Sequence, residues 1–251
     1  MILRPFLFDE TACASYLFGC TTERRLAVVD PHVELVDQYL AAAAAIGSPI
    51  VAVFETHVQA DHVSGLSALV EAAGATAYLP PRAAVEFVYH PLPDGAEVEL
   101  GNTLVRVIAT PGHAPAHNAY LVFDGRRDSR EPWLVFTGDS LLVGDVGRPD
   151  LHARGQERQA AAELYRSLGR LLELPDHVLV YPSHYGGSVC GRSLSGNPFS
   201  TIGFERRQNQ ALAAREVGAF VEALLSDVPP PPADQAAIVA ANRAGRIPAR
   251  A

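Results

Sequence analysis

Four apolar segments of this chain are each followed directly by residues that bind metal ions in many proteins. The segments cover residues 49–56, 103–111, 133–138 and 178–182. Their runs of aliphatic and aromatic residues are typical of strands that are buried on both faces. Ligand sites in α/β sheets assemble at the carboxyl ends of strands, because the loops converge there while the strands hold them rigidly. The fold must therefore bring these four strand ends together.

Helical patterns alternate with the strand-like segments. Residues 32–47 and 62–74 each end at a glycine, the usual residue after a helix, and further helical patterns cover 157–174 and 203–226. This alternation through both halves of the chain predicts an α/β protein of layered sheets flanked by helices.

Four consecutive prolines at 229–232 form the one stiff spacer in the chain. No repeat and no low-complexity linker marks another boundary. We therefore expect a single catalytic domain over residues 1–228, followed by a proline-rich spacer and a C-terminal tail helix over residues 229–251.

Charge and composition exclude several functions. Twenty-eight acidic against 20 basic side chains give a formal net charge of −8, the wrong sign for a protein that binds nucleic acid. Hydrophobic residues make up 48% of the chain, which excludes a disordered protein, and no run of about 20 apolar residues marks a membrane span. Three cysteines without CxxC spacing favour a reducing compartment. The first residues lack an export signal, so we expect a cytoplasmic protein.

The polar residues at the strand ends fall into two sets. His57, His113 and Asp139 offer two imidazoles and one carboxylate, a donor set that leaves half of an octahedron open on Fe(II). The second set contains Asp61, His62 and His184, and Asp139 could bridge the two. If both sets held a metal ion, the site would be that of a two-metal hydrolase, in which the metals lower the pKa of a bound water.

The segments THVQADH (56–62), TPGH (110–113) and TGD (137–139), followed by His184, resemble in order the signature of the metallo-β-lactamase superfamily. The resemblance implies the four-layer αββα sandwich of that superfamily. Its usual first motif is HxHxDH, and Gln59 stands where the second histidine is expected. Since a neutral amide is a poor substitute for imidazole on zinc, this departure favours one iron over two zincs.

Longer segments narrow the resemblance to one branch. Residues 55–65, 110–117, 136–151 and 181–212 are similar to the persulfide dioxygenases. This similarity implies oxidation of the sulfane sulfur of a low-molecular-weight persulfide, such as glutathione persulfide, by O2 to sulfite and free thiol. It implies one Fe(II) per chain, with His57, His113 and Asp139 as its ligands. The alternative is a zinc-dependent thioester hydrolase resembling glyoxalase II.

A mechanism consistent with both the residue pattern and the resemblance suggests further roles. Asp61, His62 and His184 are expected to be catalytic, orienting water or the metal-binding histidines and managing protons. Candidate substrate-binding residues are Arg148, Tyr185, Cys190 and Arg192.

Two of these candidates have a structural alternative. Arg148 could instead pair with Asp145 or Asp150 and pin its loop. Cys190 could hold sulfane sulfur with Arg192 nearby, but a small buried hydrophobe is the more common role of a lone cysteine.

Other polar residues are not assigned to the site. Cys13 and Cys20 have no basic neighbour in the sequence, and His117 is expected to support the site rather than bind metal, since Pro115 excludes a helix there. The remaining histidines are expected to be surface or capping residues; they are His32, His90, His152 and His177.

The expected partners are a small thiol persulfide and O2, with neither nucleic acid nor membrane. A separate rhodanese sulfurtransferase as partner and a homodimer as assembly remain open. A third interpretation is a non-catalytic protein that binds sulfur or metal for such a sulfurtransferase.

Overall fold

The computed structural model describes residues 1–188, 190–191, 194–226, 228, 230–231 and 234–245. In this part of the chain there are twelve strands and six α-helices. The strands are β1 (Ile2–Phe8), β2 (Cys13–Cys20), β3 (Arg25–Val29), β4 (Ile50–Phe54), β5 (Thr76–Leu79), β6 (His90–Pro91), β7 (Glu97–Leu100), β8 (Thr103–Ala109), β9 (Asn118–Asp124), β10 (Leu134–Gly138), β11 (Leu179–Pro182) and β12 (Ser200–Thr201). The helices are α1 (Val36–Ile46), α2 (Leu66–Ala73), α3 (Glu157–Leu171), α4 (Ile202–Gln208), α5 (Val217–Leu225) and α6 (Gln235–Ala244). None of these helices combines the length and the apolar character that crossing a membrane requires.

The strands form two six-stranded mixed sheets. The first has the order β1–β2–β3–β4–β5–β6, and the second has the order β12–β11–β10–β9–β8–β7. In the first sheet β3, β4, β5 and β6 run parallel. In the second sheet β10 and β11 run parallel, while β7, β8, β9 and β10 are antiparallel neighbours. Strands β10 and β11 therefore end at the same edge.

The two sheets pack face to face around an aromatic core. Phe18 of β2 contacts Phe136 of β10 with ring centres 5.0 Å apart, and Phe54 of β4 contacts Tyr120 of β9 at 5.1 Å. The neighbouring side chain Leu17 faces the opposite side of the sheet and packs in the cluster beneath the helices. Because both faces of these strands are buried, their sequences are apolar throughout rather than alternating.

Helices cover the outer face of each sheet. On the first sheet α1 and α2 pack through buried residues such as Tyr39 and Leu69. On the second sheet α3 and α5 pack through Leu164 and Phe220. The layer order is helix, sheet, sheet, helix, which confirms the predicted αββα sandwich.

The helical pattern expected over 203–226 does not form one helix. Helix α4 ends at Gln208, and Asn209 has an extended backbone with φ −73° and ψ 112°. The Asn209 amide turns inward and donates to the carbonyl of Asp145 (2.9 Å) and to the carboxylate of Glu205 (2.8 Å). A short polar side chain that bonds elsewhere competes with the helix, so α5 starts again only at Val217.

The predicted tail helix corresponds to α6, which packs against the rest of the chain. Its first residue, Gln235, donates a hydrogen bond to the carbonyl of Leu151. Pro229 and Pro232 of the spacer lie outside the described residues, and the boundary at residue 228 stays a prediction.

Candidate metal centre

The structure brings the predicted strand-end residues together at one edge of the sandwich. The residues follow β4, β8, β10 and β11, and they are His57, His113, Asp139 and His184. Each is at most 1% exposed. Since β4 belongs to the first sheet and the other three strands belong to the second, both sheets contribute to the site.

His57, His113 and Asp139 form the first cluster. His113 Nε2 lies 3.5 Å and His57 Nε2 lies 4.0 Å from the same carboxylate oxygen, Asp139 Oδ2. His113 Nε2 and Asp139 Oδ2 are buried and have no hydrogen-bond partner among the described residues. Burying unpaired polar atoms is costly. Their convergence on one point therefore indicates a metal ion rather than a hydrogen-bonded core.

Hydrogen bonds behind the two imidazoles fix their orientation. Thr56 Oγ1 donates to Asp30 Oδ2 (2.9 Å), which leaves its oxygen to accept from His57 Nδ1 at 3.0 Å. His113 Nδ1 donates to the backbone carbonyl of Arg148 at 2.8 Å. With the proton on Nδ1, each ring presents the lone pair of Nε2 to the cluster.

Asp30 also connects the two sheets behind the site. Its carboxylate accepts hydrogen bonds from the Thr56 backbone amide, from the Thr56 hydroxyl and from the hydroxyl of Ser183. Asp30 follows β3, Thr56 follows β4 and Ser183 follows β11. The ends of three strands, from both sheets, are thus joined through one carboxylate.

His117 supports the backbone of Asp139, in line with the supporting position expected from the sequence. Its Nδ1 donates to Thr110 Oγ1 (2.8 Å), and its Nε2 accepts from the backbone amide of Asp139 (3.2 Å). Residue 147, which packs against Asp139, must be a glycine. A Cβ there would lie 1.8 Å from the Asp139 carbonyl oxygen and 3.0 Å from His113 Nδ1, which is too close for any side chain.

His152 lies at the first cluster, so the expectation of a surface or capping role was wrong. Its ligand atom lies within 4.8 Å of those of His57 and His113. Its Nε2 is buried without a hydrogen-bond partner in the described part of the chain. Burial and the nearby His113 lower the pKa of His152 to about 3, so the ring is neutral. Little in the sequence marks His152, because it lies in the loop after Asp139 and no strand directly precedes it.

Gln59, which replaces a histidine of the usual motif, is buried next to Glu55. Its Nε2 donates to Glu55 Oε2 at 3.5 Å, while Ser64 Oγ donates to Glu55 Oε1. Burial and the charge of Asp30 raise the pKa of Glu55 well above its usual value, against the opposing effect of these two bonds. Gln59 Oε1 is buried and has no partner among the described residues.

Asp61, His62 and His184 form the second cluster together with Cys13. His184 Nδ1 donates to Asp139 Oδ1 (2.7 Å), and His184 Nε2 donates to Asp61 Oδ2 (2.6 Å). His62 Nδ1 lies 3.1 Å from Asp61 Oδ1. Burial lowers the pKa of His184, but the carboxylates of Asp139 and Asp61 outweigh it and raise the pKa well above its usual value. His184 therefore contacts a carboxylate of each cluster and links the two.

Cys13 belongs to this site, although the sequence offered no neighbour for it. Its Sγ lies 3.4 Å from both His62 Nδ1 and His184 Nε2. Burial raises the pKa of the thiol, but the imidazoles of His62 and His184 outweigh burial and lower it to about 6. A backbone hydrogen bond from Ala14 to the Ser183 carbonyl brings the start of β2 to the end of β11. Cys13 and His184 are 171 positions apart in the sequence, so no local pattern reveals their contact.

Asn242 of α6 holds the loop between the two clusters. Its Oδ1 accepts from the backbone amide of Ser64 (2.9 Å). Its Nδ2 donates to the carbonyls of Gln59 (3.0 Å) and His62 (2.9 Å). This loop carries Asp61 and His62, so the tail helix positions part of the second cluster.

The predicted substrate-binding residues occupy different surroundings. The Arg148 guanidinium is almost fully buried and forms a bidentate ion pair with Asp150 at 2.7 and 2.9 Å, which is the structural alternative named above. Tyr185 donates its hydroxyl to Asp9 at 2.6 Å. Cys190 is buried, and its Sγ lies 3.7 Å from Asp61 Oδ2. Arg192 lies outside the described residues.

A wide groove opens between the loop that carries His152 and helix α6. Its lining includes two arginines, Arg154 and Arg243, together with the acidic residues Glu86, Asp150 and Glu157. His152 lines the same groove. Since His152 also lies at the first cluster, the groove borders that cluster at this residue.

The remaining histidines lie apart from the first cluster. His32 caps a short helical turn, because its Nδ1 accepts from the backbone amide of Glu34, and its ring stacks on His62 at 4.9 Å. His90 and His177 are exposed, as expected for surface residues.

The geometry defines a protein class. Residues 8–184 match the sequence profile of the metallo-β-lactamase superfamily, and the αββα layers and the clusters at the strand ends agree with it. The chain belongs to the metallo-β-lactamase superfamily, and its buried histidine and aspartate groups suggest a metal ion.

Within this superfamily the chain is similar to two kinds of enzyme. It shares 33% identity with ETHE1 from Myxococcus xanthus, whose crystal structure aligns over 97% of this chain and 99% of that chain with a TM-score of 0.84. It shares 26% identity over 214 residues with the mitochondrial persulfide dioxygenase ETHE1 of Bos taurus, covering 84% of this chain and 76% of the relative. It also shares 38% identity over 199 residues with a hydroxyacylglutathione hydrolase of Alkalilimnicola ehrlichii, covering 78% and 70%.

Proposed function

We propose that this protein is an iron-dependent persulfide dioxygenase that acts on a low-molecular-weight persulfide such as glutathione persulfide. The balanced reaction is RSSH + O2 + H2O → RSH + SO3²⁻ + 2 H⁺. The observation that carries the proposal is the first cluster, which presents two imidazole nitrogens and one carboxylate oxygen to a single point. The similarity to ETHE1 supports it.

The donors of the first cluster fit Fe(II). Imidazole and carboxylate suit non-haem iron, and the buried Cys190 groups with Asp139 and His184 rather than with the two histidines. When bound, Fe(II) would supply vacant coordination positions for a persulfide sulfur and for O2. His57, His113 and Asp139 would hold the ion, and Thr56 and the Arg148 carbonyl keep the two rings in position for it.

His184 of the second cluster stabilises the negative charge on Asp139 of the first cluster. His184 donates to Asp139 Oδ1, which leaves Oδ2 directed at the two histidines. Burial raises the pKa of Asp139, but the charge of His184 and its hydrogen bond outweigh burial and hold this pKa below its usual value. Asp61 shares the other proton of His184, so a proton is held one residue away from the metal-binding carboxylate.

The groove between His152 and α6 suits a small zwitterionic thiol. Glutathione carries two carboxylates and one ammonium group. Arg154 and Arg243 can bind the carboxylates, and Glu157 can bind the ammonium group. Binding there would direct the sulfur end toward the first cluster.

A glyoxalase II-like zinc thioester hydrolase is the second candidate. Asp61, His62 and His184 lie next to Asp139, as a second metal ion would require, and the hydroxyacylglutathione hydrolase relative supports this alternative. Against it, Gln59 offers no imidazole where the motif of the superfamily has one.

The test compares two metals on the same protein. Metal-free protein is loaded anaerobically with Fe(II) or with Zn(II), then mixed with glutathione persulfide or with a hydroxyacylglutathione thioester. We expect the Fe(II) protein to consume one O2 and release one sulfite per persulfide, and an Asp139→Asn variant to lose this activity while a His177→Ala control keeps it. Thioester cleavage by the Zn(II) protein without oxygen uptake by the Fe(II) protein would refute the proposal. Persulfide binding without sulfite would indicate the non-catalytic sulfur-binding role.

A further inference from the structure

We infer that His152 is the third imidazole of the metal site and takes the place of the motif histidine that Gln59 replaces. The inference rests on the proposed function in one respect, that the first cluster holds a metal ion. The donor set then consists of His57, His113, His152 and Asp139.

The first argument is the arrangement of the rings. The ring centres of His57, His113 and His152 lie 4.8, 5.5 and 5.8 Å apart, and the ring planes are inclined by 71° to 87°. One potential ligand atom from each ring lies within 4.8 Å of the other two. Three imidazoles that meet edge to face around one point are arranged as ligands of a common ion, not as a stacked pair.

His117 shows what a supporting histidine looks like in the same place. Its ring stacks on His57 with an angle of 24°, and both of its nitrogens have partners in the protein, Thr110 and the Asp139 amide. His152 differs on both counts, because its ring is nearly perpendicular to His57 and its buried Nε2 lacks a partner among the described residues. An unpaired buried nitrogen beside two metal-type ligands requires an explanation, and a metal ion provides one.

The second argument is that the loop around His152 is held from both sides. The Arg148 guanidinium binds Asp150 on one side, and Gln235 of α6 donates to the carbonyl of Leu151 on the other. The Arg148 carbonyl also accepts from His113 Nδ1, so the residue that anchors this loop through Asp150 also orients His113. A ligand on so restrained a loop loses little freedom when it binds.

The inferred donor set would leave fewer vacant positions than three donors do. If all four residues held a six-coordinate Fe(II), two positions would stay vacant for a sulfur and an O2. The same four donors would close a four-coordinate zinc site.

Metal binding tests the inference without an activity measurement. Metal-free wild type and the variants His152→Ala and His152→Gln are titrated anaerobically with Fe(II), and the visible spectrum of each Co(II)-loaded protein is recorded. We expect both variants to bind Fe(II) at least tenfold more weakly and to show a changed Co(II) spectrum. His177→Ala, which removes an exposed histidine, is the matched control and should bind as the wild type does. Restoring the motif in Gln59→His/His152→Ala should recover most of the lost affinity.

The outcomes separate the inference from the proposed function. Wild-type Fe(II) affinity and an unchanged Co(II) spectrum in both His152 variants would overturn the inference, and if these variants also lost persulfide turnover, His152 would contact substrate instead. Weakened metal binding in variants of a protein that never consumes O2 with persulfide would support the inference and refute the dioxygenase. A thermal unfolding scan of the metal-free variants identifies any that fail to fold, and the more conservative His152→Gln then decides the result.

Discussion

Replacing Asn242 with alanine is expected to loosen the loop that carries Asp61 and His62. The wild-type amide makes three hydrogen bonds to this loop, one to the Ser64 amide and two to the carbonyls of Gln59 and His62. A net contribution of about 1 kcal/mol per bond gives about 3 kcal/mol in total. Asn242 is half-exposed, and water can replace part of this, so we expect a loss of about 2 to 3 kcal/mol of local stability.

This loss of local stability predicts a measurable increase in opening of the loop. Since 1.4 kcal/mol corresponds to a factor of ten, local opening of residues 59–64 should become roughly 30-fold to 150-fold more frequent. Hydrogen–deuterium exchange of a peptide that covers this loop measures the change directly. Gln235→Ala is the matched control, because it removes a contact of α6 to Leu151 and leaves the Asn242 bonds in place. Exchange in the loop of Asn242→Ala that stays within twofold of wild type would refute the argument.

Two further predictions follow from buried titratable groups. In the metal-free protein, a thiolate absorbance step near pH 6 should be present in wild type and absent in Cys13→Ser, because the imidazoles of His62 and His184 stabilise the thiolate; a step only near pH 9 would contradict this assignment. The pKa of Glu55 is raised in the folded state. The folded protein therefore keeps this proton at pH values where the unfolded chain has released it, and the free energy of unfolding falls as pH rises through this range. Glu55→Gln removes this dependence and should therefore raise the free energy of unfolding more at pH 8 than at pH 5, as measured by urea denaturation. An equal change at both pH values would show that Glu55 titrates normally.

The sequence carried enough information to predict the layers and the first cluster. Strands buried on both faces have a continuous apolar pattern, and the metal-type residues directly follow those strands, as His57 and Asp139 do. The grouping of these residues was therefore visible as residue type plus position relative to a strand end.

The residues that the sequence could not place are those whose position depends on contacts between distant segments. Cys13 reaches the second cluster only because β2 meets the end of β11, and Asn242 reaches the loop only because α6 packs on it. His152 lies in a loop without a preceding strand, so periodicity gave it no position. Asn209 interrupts a good helical pattern because its amide binds the Asp145 carbonyl, a partner that is distant in sequence.

The carboxylate of Asp30, which accepts from Thr56 on one sheet and from Ser183 on the other, bears on how the protein folds. Neither sheet can assemble the centre alone, because His57 follows a strand of the first sheet whereas His113, Asp139 and His184 follow strands of the second. If the centre holds a metal ion, we expect high-affinity uptake only after the two sheets have docked. An ion that met the nascent chain would find only scattered, weak donors, so this order would limit premature loading.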